Sequence, residues 1–129
     1  MAAAILAVFP KLLVRDLQTS LRFYEKVLGF RNAGTFGEPP VFAIVERDGC
    51  GIHLLQGEPR PRRGEHEAWD VYLEVSGLDA LVVELTERGA RIVRGPALLE
   101  YGMTELDVID PDGYVICMAE DTGVPANGG

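Results

Sequence analysis

Two short segments of this chain place residues that could bind a ligand at every second position. These alternate positions are Phe9, Lys11 and Leu13 in the first segment, and Asp70, Tyr72 and Glu74 in the second, and all except Leu13 are candidates to bind a ligand. The opposite positions are uniformly apolar: Leu12, Val14, Val71, Leu73 and Val75. Because successive side chains of a strand point to opposite faces, each set shares one face. The apolar set is suited to packing under helices, so the other face is predicted to be concave.

Rings and carboxylates at these and later positions indicate which ligand such a face would accept. The aromatic candidates are Phe9, Tyr72 and Tyr101, and the acidic candidates are Asp70, Glu74 and Glu105. Aromatic rings stack against planar groups, and the carboxylates could receive a cation, with Lys11 as the obvious countercharge. Each of these residues is equally compatible with the ordinary role of a half-exposed strand residue.

Other kinds of chemistry find little support in the sequence. It contains no nucleophile elbow, no glycine loop that would cradle a phosphate and no dinucleotide fingerprint. His66 stands between Glu65 and Glu67, but no second histidine follows at helical spacing. We therefore interpret these three residues as part of a solvated linker.

Charge and composition narrow the partners further. The formal net charge of −8 over 129 residues makes nucleic acid and anionic membranes poor partners. Two cysteines, Cys50 and Cys117, do not form a disulfide framework. The apolar start lacks a basic region typical of signal peptides, and no apolar run is long enough to cross a membrane. We predict a soluble, reduced, cytoplasmic protein that binds a small molecule.

The elements that position these residues follow one order twice. Strands are predicted at residues 5–14, 30–35, 41–46, 51–55, 69–75, 91–93, 105–110 and 114–118. Asp16 is predicted to cap a helix that ends at Gly29, and Ser76 to cap one that ends at Gly89. Pro10 lacks a backbone N–H, so its strand is predicted to lie at a sheet edge or to bend at this residue. Residues 58–67 are predicted to be a linker, residues 95–100 a loop, and residues 121–129 a disordered tail.

Matching turns indicate an internal repeat. The Asp48-Gly49 turn matches Asp112-Gly113, and Leu28-Gly29 matches Arg88-Gly89. Each half alone leaves one apolar sheet face uncovered, which favours pairing of the halves. We predict an α+β fold in a single domain, residues 1–120. It would consist of two βαβββ modules, residues 4–57 and 68–120, forming a curved mixed sheet around a cavity.

Three stretches resemble the vicinal oxygen chelate superfamily, which includes glyoxalase I, extradiol dioxygenases and bleomycin-resistance proteins. They are LVRDLQTSLRFYEKVLGF, YLEVSGLDAL and YGMTELDVIDPDGYVI. The likeness covers nearly all of the chain outside the linker and tail, and implies the glyoxalase/bleomycin-resistance fold. Pro10 ahead of Arg15-Asp16 is similar to the bleomycin-resistance group, as is Tyr101-Gly102 where that group has Trp-Gly. The resemblance implies a homodimer with exchanged N-terminal strands that sequesters a cationic drug.

The resemblance also implies where a divalent metal would be bound. The corresponding positions are Phe9, His53, Asp70 and Cys117. Phe9 cannot bind a metal, whereas the imidazole, carboxylate and thiol of the other three could suit zinc. The alternative is that His53 is a polar cavity residue, Asp70 flanks a strand and Cys117 is a small buried hydrophobe.

Two hypotheses from different classes follow. The first is a metal-free small-molecule-binding protein without a cofactor, which sequesters an aromatic or cationic drug-like ligand. The second is a metal-dependent enzyme, a glyoxalase-like lyase or extradiol dioxygenase-like, that uses His53, Asp70 and Cys117. The residues predicted to bind the ligand are Phe9, Lys11, His53, Asp70, Tyr72, Glu74, Tyr101, Glu105 and Cys117.

Overall fold

The structure, a computed structural model, describes residues 2–62 and 69–123. It divides into two compact units, Met1–Arg60 and Pro61–Gly129. The first unit contains β1 (Lys11–Val14), α1 (Leu17–Lys26), β2 (Arg31–Phe36), β3 (Phe42–Arg47) and β4 (Cys50–Gln56). The second contains β5 (Val71–Glu74), α2 (Leu78–Glu87), β6 (Ile92–Leu98), β7 (Met103–Ile109) and β8 (Val115–Asp121). The predicted α+β fold of two βαβββ modules is confirmed.

Each unit forms its own four-stranded mixed sheet, and both sheets have the same topology. The strand orders are β1-β4-β3-β2 and β5-β8-β7-β6. In each sheet the first strand runs parallel to the last, and the remaining pairs are antiparallel. Lys11 is opposite His53 in one sheet, and Tyr72 is opposite Cys117 in the other. The registers therefore agree with the internal repeat.

Helix α1 begins where the sequence predicts, but it ends at Lys26, about two residues before the predicted end next to Gly29. Asp16 is its N-cap and accepts a hydrogen bond from the backbone N–H of Gln18 at 3.3 Å. After the helix, Gly29 adopts a φ of 71°, a left-handed conformation that glycine tolerates best. The apolar stripe of α1 is buried, as are β-strand residues of the same unit: Leu12, Val14, Leu17, Leu21, Tyr24, Leu28, Ala43, Val45, Ile52 and Leu54.

Helix α2 is capped differently from the prediction. Ser76 is not its cap: the N-cap is Gly77, which has no side chain to accept a hydrogen bond. The carboxylate of Glu120, on β8, instead accepts from the backbone N–H groups of Gly77 at 2.7 Å and Leu78 at 3.3 Å. Gln56 on β4 accepts from the backbone N–H of Leu17 at 3.0 Å in the first unit. A residue distant in sequence thus supplies the cap, which local patterns cannot reveal.

We expect Glu120→Ala to lower the free energy of unfolding by about 1–2 kcal/mol, because two helix N–H groups lose their acceptor and the helix dipole loses a nearby negative charge. Urea denaturation of the variant measures this loss. Glu100→Ala is the matched control, since Glu100 is also acidic but exposed, and its effect should stay within about 0.5 kcal/mol. Equal stabilities for the two variants would contradict the capping role.

The first strand is shorter than predicted. Ladder pairing covers only Lys11–Val14, not residues 5–14. Pro10 has no N–H to donate, but its carbonyl accepts from the backbone N–H of His53 at 2.9 Å. The prediction that this strand lies at a sheet edge is confirmed. Ahead of it, the side chains of Ile5, Leu6 and Val8 are 95%, 93% and 86% exposed.

The segment predicted as a loop at residues 95–100 is largely part of a strand. Strand β6 continues to Leu98, and it does so through an irregularity in its pairing with β7. Arg94 is opposite Asp107 and Ala97 is opposite Glu105, so one extra residue is accommodated on β6. Gly95 and Pro96, which indicate a loop by composition, are the residues that make this bulge.

Strand β8 ends beyond the predicted boundary of its module. This strand continues to Asp121, one residue into the predicted tail. Residues 63–68 of the predicted linker and residues 124–129 of the predicted tail lie outside the described residues. Over the described ranges, neither helix has the length and apolar character required to cross a bilayer.

Candidate functional site

The register of the second sheet brings four chemically distinct side chains into one row. Tyr72 on β5 is opposite Cys117 on β8, which is opposite Asp107 on β7, which is opposite Arg94 on β6. Residues directly opposite each other in a sheet share a face. Glu105, two residues before Asp107, shares that face as well. We call Tyr72, Arg94, Tyr101, Glu105, Asp107 and Cys117 the Glu105 cluster.

The other face of the same sheet explains why these side chains point together. Its residues are mostly buried and apolar: Val71, Leu106, Val108, Ile116 and Met118. Helix α2 packs against β8, with Leu78 and Leu85 buried. The alternation of apolar and polar residues along β7, from Glu105 to Val108, therefore sends Glu105 and Asp107 to the face that the Glu105 cluster occupies.

Arg94 holds the two carboxylates of the cluster. Its Nε donates to Oδ2 of Asp107 at 2.7 Å, and its Nη2 donates to Oδ1 of Asp107 at 3.2 Å. The same Nη2 donates to Oε1 of Glu105 at 2.9 Å. Two carboxylates share one guanidinium, so these three side chains carry one excess negative charge. Glu105 and Asp107 are only 3% and 5% exposed.

The second carboxylate oxygen of Glu105 is bound by two tyrosines. The hydroxyl of Tyr72 donates to Oε2 at 2.9 Å, and that of Tyr101 donates to the same atom at 2.6 Å. With the bond from Arg94, this carboxylate accepts three hydrogen bonds from side chains. It is therefore a fully satisfied buried charge, as buried carboxylates must be to be tolerated.

These contacts shift the pKa values of the cluster in defined directions. Burial alone would raise the pKa of Glu105, but the hydrogen bonds from Tyr101, Arg94 and Tyr72 and the charge of Arg94 outweigh it, and its pKa is lowered. Burial and the bond to Glu105 raise the pKa of Tyr101 to about 12. The same causes raise the pKa of Tyr72. At neutral pH the cluster is a carboxylate with two protonated tyrosines.

Cys117 lies behind these polar groups as an unreactive thiol. It is fully buried, and its Sγ is 4.0 Å from Nη2 of Arg94. Burial first, and then the negative charges of Glu105 and Asp107, raise the pKa of this thiol. A thiol held protonated is a poor nucleophile. Its burial is compatible with the alternative in which Cys117 is a small buried hydrophobe.

Accessible aromatic rings accompany the buried charges. The ring centroid of Trp69 lies 5.1 Å from that of Tyr72, and Trp69 is 42% exposed. Tyr101 is 65% exposed, and Tyr72 is half-buried. Such rings give a planar molecule a surface to stack on. The second unit thus combines apolar stacking area with a nearby negative charge.

The structure brings together four of the predicted ligand-binding residues: Tyr72, Tyr101, Glu105 and Cys117. Asp70 has a different role, because its Oδ1 accepts from the backbone N–H of Arg62 at 3.0 Å and its Oδ2 from that of Val115 at 2.9 Å. Glu74 is exposed on β5, two residues from Tyr72. Its place on the Tyr72 side of the strand leaves it accessible to an approaching cation.

Sequence reasoning missed Arg94, Asp107 and Trp69. A signal existed for Asp107, which is two residues from Glu105 on a strand of clear alternation. Arg94 could not be placed, because its position follows from the bulge at Gly95 and Pro96. Trp69 was predicted to start a strand, but β5 begins at Val71.

The first unit contains three of the predicted ligand-binding residues, Phe9, Lys11 and His53. Two of them, Phe9 and His53, pack against aromatic rings. The ring of Phe9 stacks on His53 with a centroid distance of 4.6 Å and an interplanar angle of 21°. Phe42 meets His53 edge-on at 5.2 Å. A Cβ on Gly51 would lie 2.6 Å from the Phe9 ring, so the absence of a side chain there gives the ring its space. Lys11, opposite His53, is exposed.

The residues present do not fit a divalent metal. Phe9 has no donor atom and covers one face of His53. Both carboxylate oxygens of Asp70 accept backbone N–H groups, and the thiol of Cys117 is fully buried beside Nη2 of Arg94. Within residues 2–62 and 69–123, no three His, Cys, Asp or Glu side chains are arranged to hold a metal ion. Metal coordination would require these groups to abandon the contacts they make.

Known proteins that are similar in sequence and structure indicate the family of this chain. The family model described as Glyoxalase/Bleomycin resistance protein/Dioxygenase superfamily matches residues 5–118. Virulence protein STM3117 of Salmonella typhimurium is 32% identical over 111 residues, which are 81% of this chain and 76% of that protein. Its crystal structure superposes with a TM-score of 0.66 and 26% identity, covering 93% of this chain and 98% of that chain.

Other solved structures share the fold at lower identity. TnmS3, an antibiotic binding protein from Streptomyces sp. CB03234, has a TM-score of 0.72 and 22% identity, over 94% of this chain and 99% of that chain. A member of the same superfamily from Sphaerobacter thermophilus has a TM-score of 0.71 and 23% identity, over 91% and 98% of the two chains. At this identity the likeness establishes the fold.

Proposed function

Because the chain belongs to the Glyoxalase/Bleomycin resistance protein/Dioxygenase superfamily, we propose that it is a metal-free binding protein that sequesters an aromatic or cationic, drug-like small molecule. The observation that carries this proposal is the Glu105 cluster, in which buried carboxylates with one excess negative charge lie beside accessible aromatic rings. The proposed ligand-binding residues of the second unit are Trp69, Tyr72, Glu74 and Tyr101, with Glu105 supplying negative charge through the two tyrosine hydroxyls that it binds. In the first unit, Phe9, Lys11 and His53 are proposed separately as ligand-binding residues.

The charge of the cluster favours a cation. Arg94 is shared between Glu105 and Asp107, and a negative charge held in a partly buried environment attracts a cation more strongly than one in water. The net charge of −8 adds a long-range attraction for cations and a repulsion for anions. The rings of Trp69 and Tyr101 supply stacking and cation–π contacts.

The absence of enzymatic function is part of this proposal. Without a Lewis acid, the lyase and dioxygenase chemistry of the superfamily has no means of polarising an oxygen, and the donor set His53, Asp70 and Cys117 is committed to other contacts. Among relatives of the same fold, TnmS3 is described as an antibiotic binding protein. This supports sequestration as a use of the fold. The class of ligand is inferred from the residues of this chain.

The proposal is tested by calorimetric titration of the full chain with bleomycin and with simple planar cations. We expect binding that weakens as salt rises, because exposed charges are screened. Tyr72→Ala should weaken binding of cationic and neutral aromatic compounds alike. Glu74→Gln should weaken only the cations, since it removes charge and little stacking area. If no planar compound binds, or if Tyr72→Ala changes nothing, the proposed site is wrong.

We also propose that the protein is a homodimer, with the N-terminal segment docking on a second copy. The support is the exposure of Ile5, Leu6 and Val8, adjacent apolar side chains ahead of an edge strand. Exposed apolar groups of this kind gain stability when a partner covers them. Exchange of an identical segment between protomers would provide that cover.

Light scattering at tens of micromolar, roughly a working concentration, is expected to return twice the mass of the chain. The double variant Ile5→Ser, Leu6→Ser should shift the mass toward the monomer, whereas Arg15→Ser, exposed near β1, should not. A monomer for the unaltered chain at this concentration would contradict the proposal.

A further inference from the structure

We propose that Glu105 is a positioning residue that turns the hydroxyls of Tyr72 and Tyr101 into paired hydrogen-bond acceptors. The site then selects planar cations that carry N–H donors, such as amidinium groups and protonated heteroaromatic amines, over equally charged cations that lack them. This inference rests on the proposed function and goes beyond it, because it assigns the polarity of the groups that the ligand must present.

Both tyrosine hydroxyls of the Glu105 cluster already use their single proton. A tyrosine hydroxyl has one proton to donate, and both hydroxyls donate it to the same atom, Oε2 of Glu105. Glu105 is ionised at neutral pH because its bonds lower its pKa, so it has no proton to return. Each hydroxyl oxygen therefore faces any further partner with its lone pairs alone.

Glu105 itself is out of a ligand's reach. It is 3% exposed, its Oε2 receives both tyrosines, and its Oε1 receives Arg94. Tyr101 is 65% exposed and Tyr72 is half-buried. A ligand therefore meets the tyrosine oxygens, while the carboxylate acts through them. This differs from the sequence-based prediction, in which Glu105 receives the cation directly.

Charge and donor capacity then point to one class of ligand. The carboxylates of Glu105 and Asp107 exceed the positive charge of Arg94 by one, which favours a cation. The two acceptors favour a group with more than one N–H, and the Trp69 ring beside Tyr72 favours a flat body. An amidinium on an aromatic ring meets all three conditions. An anion would be repelled by the negative charge of the cluster. A ligand that offers only acceptors could form no hydrogen bond with the two tyrosine oxygens, because these oxygens present only lone pairs.

Two probes that share a naphthyl ring and a single positive charge, but differ in N–H donors, separate donor recognition from simple cation attraction. 2-Naphthamidine carries a positive charge with N–H donors, and trimethyl(2-naphthyl)ammonium carries the same charge with none. We expect calorimetry to show that the full chain binds the amidinium about tenfold more tightly, the effect of one or two net hydrogen bonds. Equal affinities would overturn the inference and leave the proposed function intact. Binding of neither probe would refute the proposed function itself.

Variants test the role of Glu105 through the ratio of the two affinities, which a loss of stability alone would not change. Tyr72→Phe and Tyr101→Phe should each reduce the preference for the amidinium while leaving trimethyl(2-naphthyl)ammonium binding nearly unchanged. Glu105→Gln should abolish the preference, because a carboxamide cannot accept from both tyrosines and Arg94 together. Glu74→Gln is the matched control: it should weaken both cations equally and keep the ratio. A ratio unchanged in all three cluster variants would contradict the inference.

Discussion

Arg94→Met is expected to lower the free energy of unfolding by about 3–5 kcal/mol, the usual cost of breaking a buried ion pair by removing one partner. The physical reason is that Glu105 and Asp107, at 3% and 5% exposure, would keep their charges without a counterion. The tyrosine hydroxyls satisfy only one oxygen of Glu105. Chemical denaturation at neutral pH measures the loss.

The pH dependence of this loss identifies its electrostatic origin. In the unaltered protein the lowered pKa of Glu105 contributes stability that is present above its unfolded pKa and is lost as pH falls through its folded pKa. Removing Arg94 removes part of that contribution. The gap between variant and parent should therefore be widest at neutral pH and narrow as pH falls below about 4.3, the unperturbed glutamate pKa.

Arg31→Met is the matched control for Arg94→Met. Arg31 pairs with Glu46 across β2 and β3, but its side chain is 67% exposed. A solvent-exposed ion pair contributes about 0–1 kcal/mol, so this variant should remain close to the parent at every pH. If the two arginine variants lose the same stability, the Glu105 cluster is not held together by Arg94.

Gly95→Ala is expected to be among the most destabilising single-methyl additions in this chain, at about 3 kcal/mol or more from backbone strain and overpacking together. Gly95 has a φ of 76°. An added Cβ would also lie 2.2 Å from the carbonyl oxygen of Glu105 and 3.1 Å from the Cα of Leu106. These are backbone atoms of β7, so the bulge must open for the methyl group to fit.

Gly89→Ala separates the two causes. Gly89 has a similar φ of 81°, but a Cβ there would meet nothing within 4 Å. Its cost should be that of the left-handed conformation alone, about 1–2 kcal/mol. Thermal denaturation of both variants gives the comparison.

Because the bulge positions Arg94 opposite Asp107, Gly95→Ala should also weaken cation binding, and Gly89→Ala should not. Similar losses in both proteins would argue against a tight bulge.

Much of the fold could be predicted because short-range sequence patterns specify its helices, strands and turns. Each of these features depends on residues only a few positions apart: the cap at Asp16, the turns at Gly29 and Gly89, and the period-2 alternation of β7. The repeat then fixes the topology, since it relates Lys11 and His53 to Tyr72 and Cys117. Local patterns could not predict the cap of α2, because Glu120, which provides it, lies on a strand far along the chain.

The site was predicted in part for the same reason. Tyr72, Tyr101 and Glu105 were identified from their residue types and alternation, and the structure brings them together at one carboxylate. The backbone contacts of Asp70 were not predicted: both of its carboxylate oxygens accept backbone N–H groups, which the residue type and spacing alone do not reveal. Arg94 was missed because Gly95 and Pro96 resemble a loop by composition while forming a bulge.

The central claim is that the Glu105 cluster binds a planar cation without a metal. Its most direct test is calorimetric titration of 2-naphthamidine into the full chain, once in excess EDTA and once with added zinc or manganese. We expect the same affinity in both titrations and a marked loss of binding in Tyr72→Ala under either condition. Binding that appears only when a metal is added, and that is lost in His53→Ala, would contradict the claim and favour the metal-dependent enzyme.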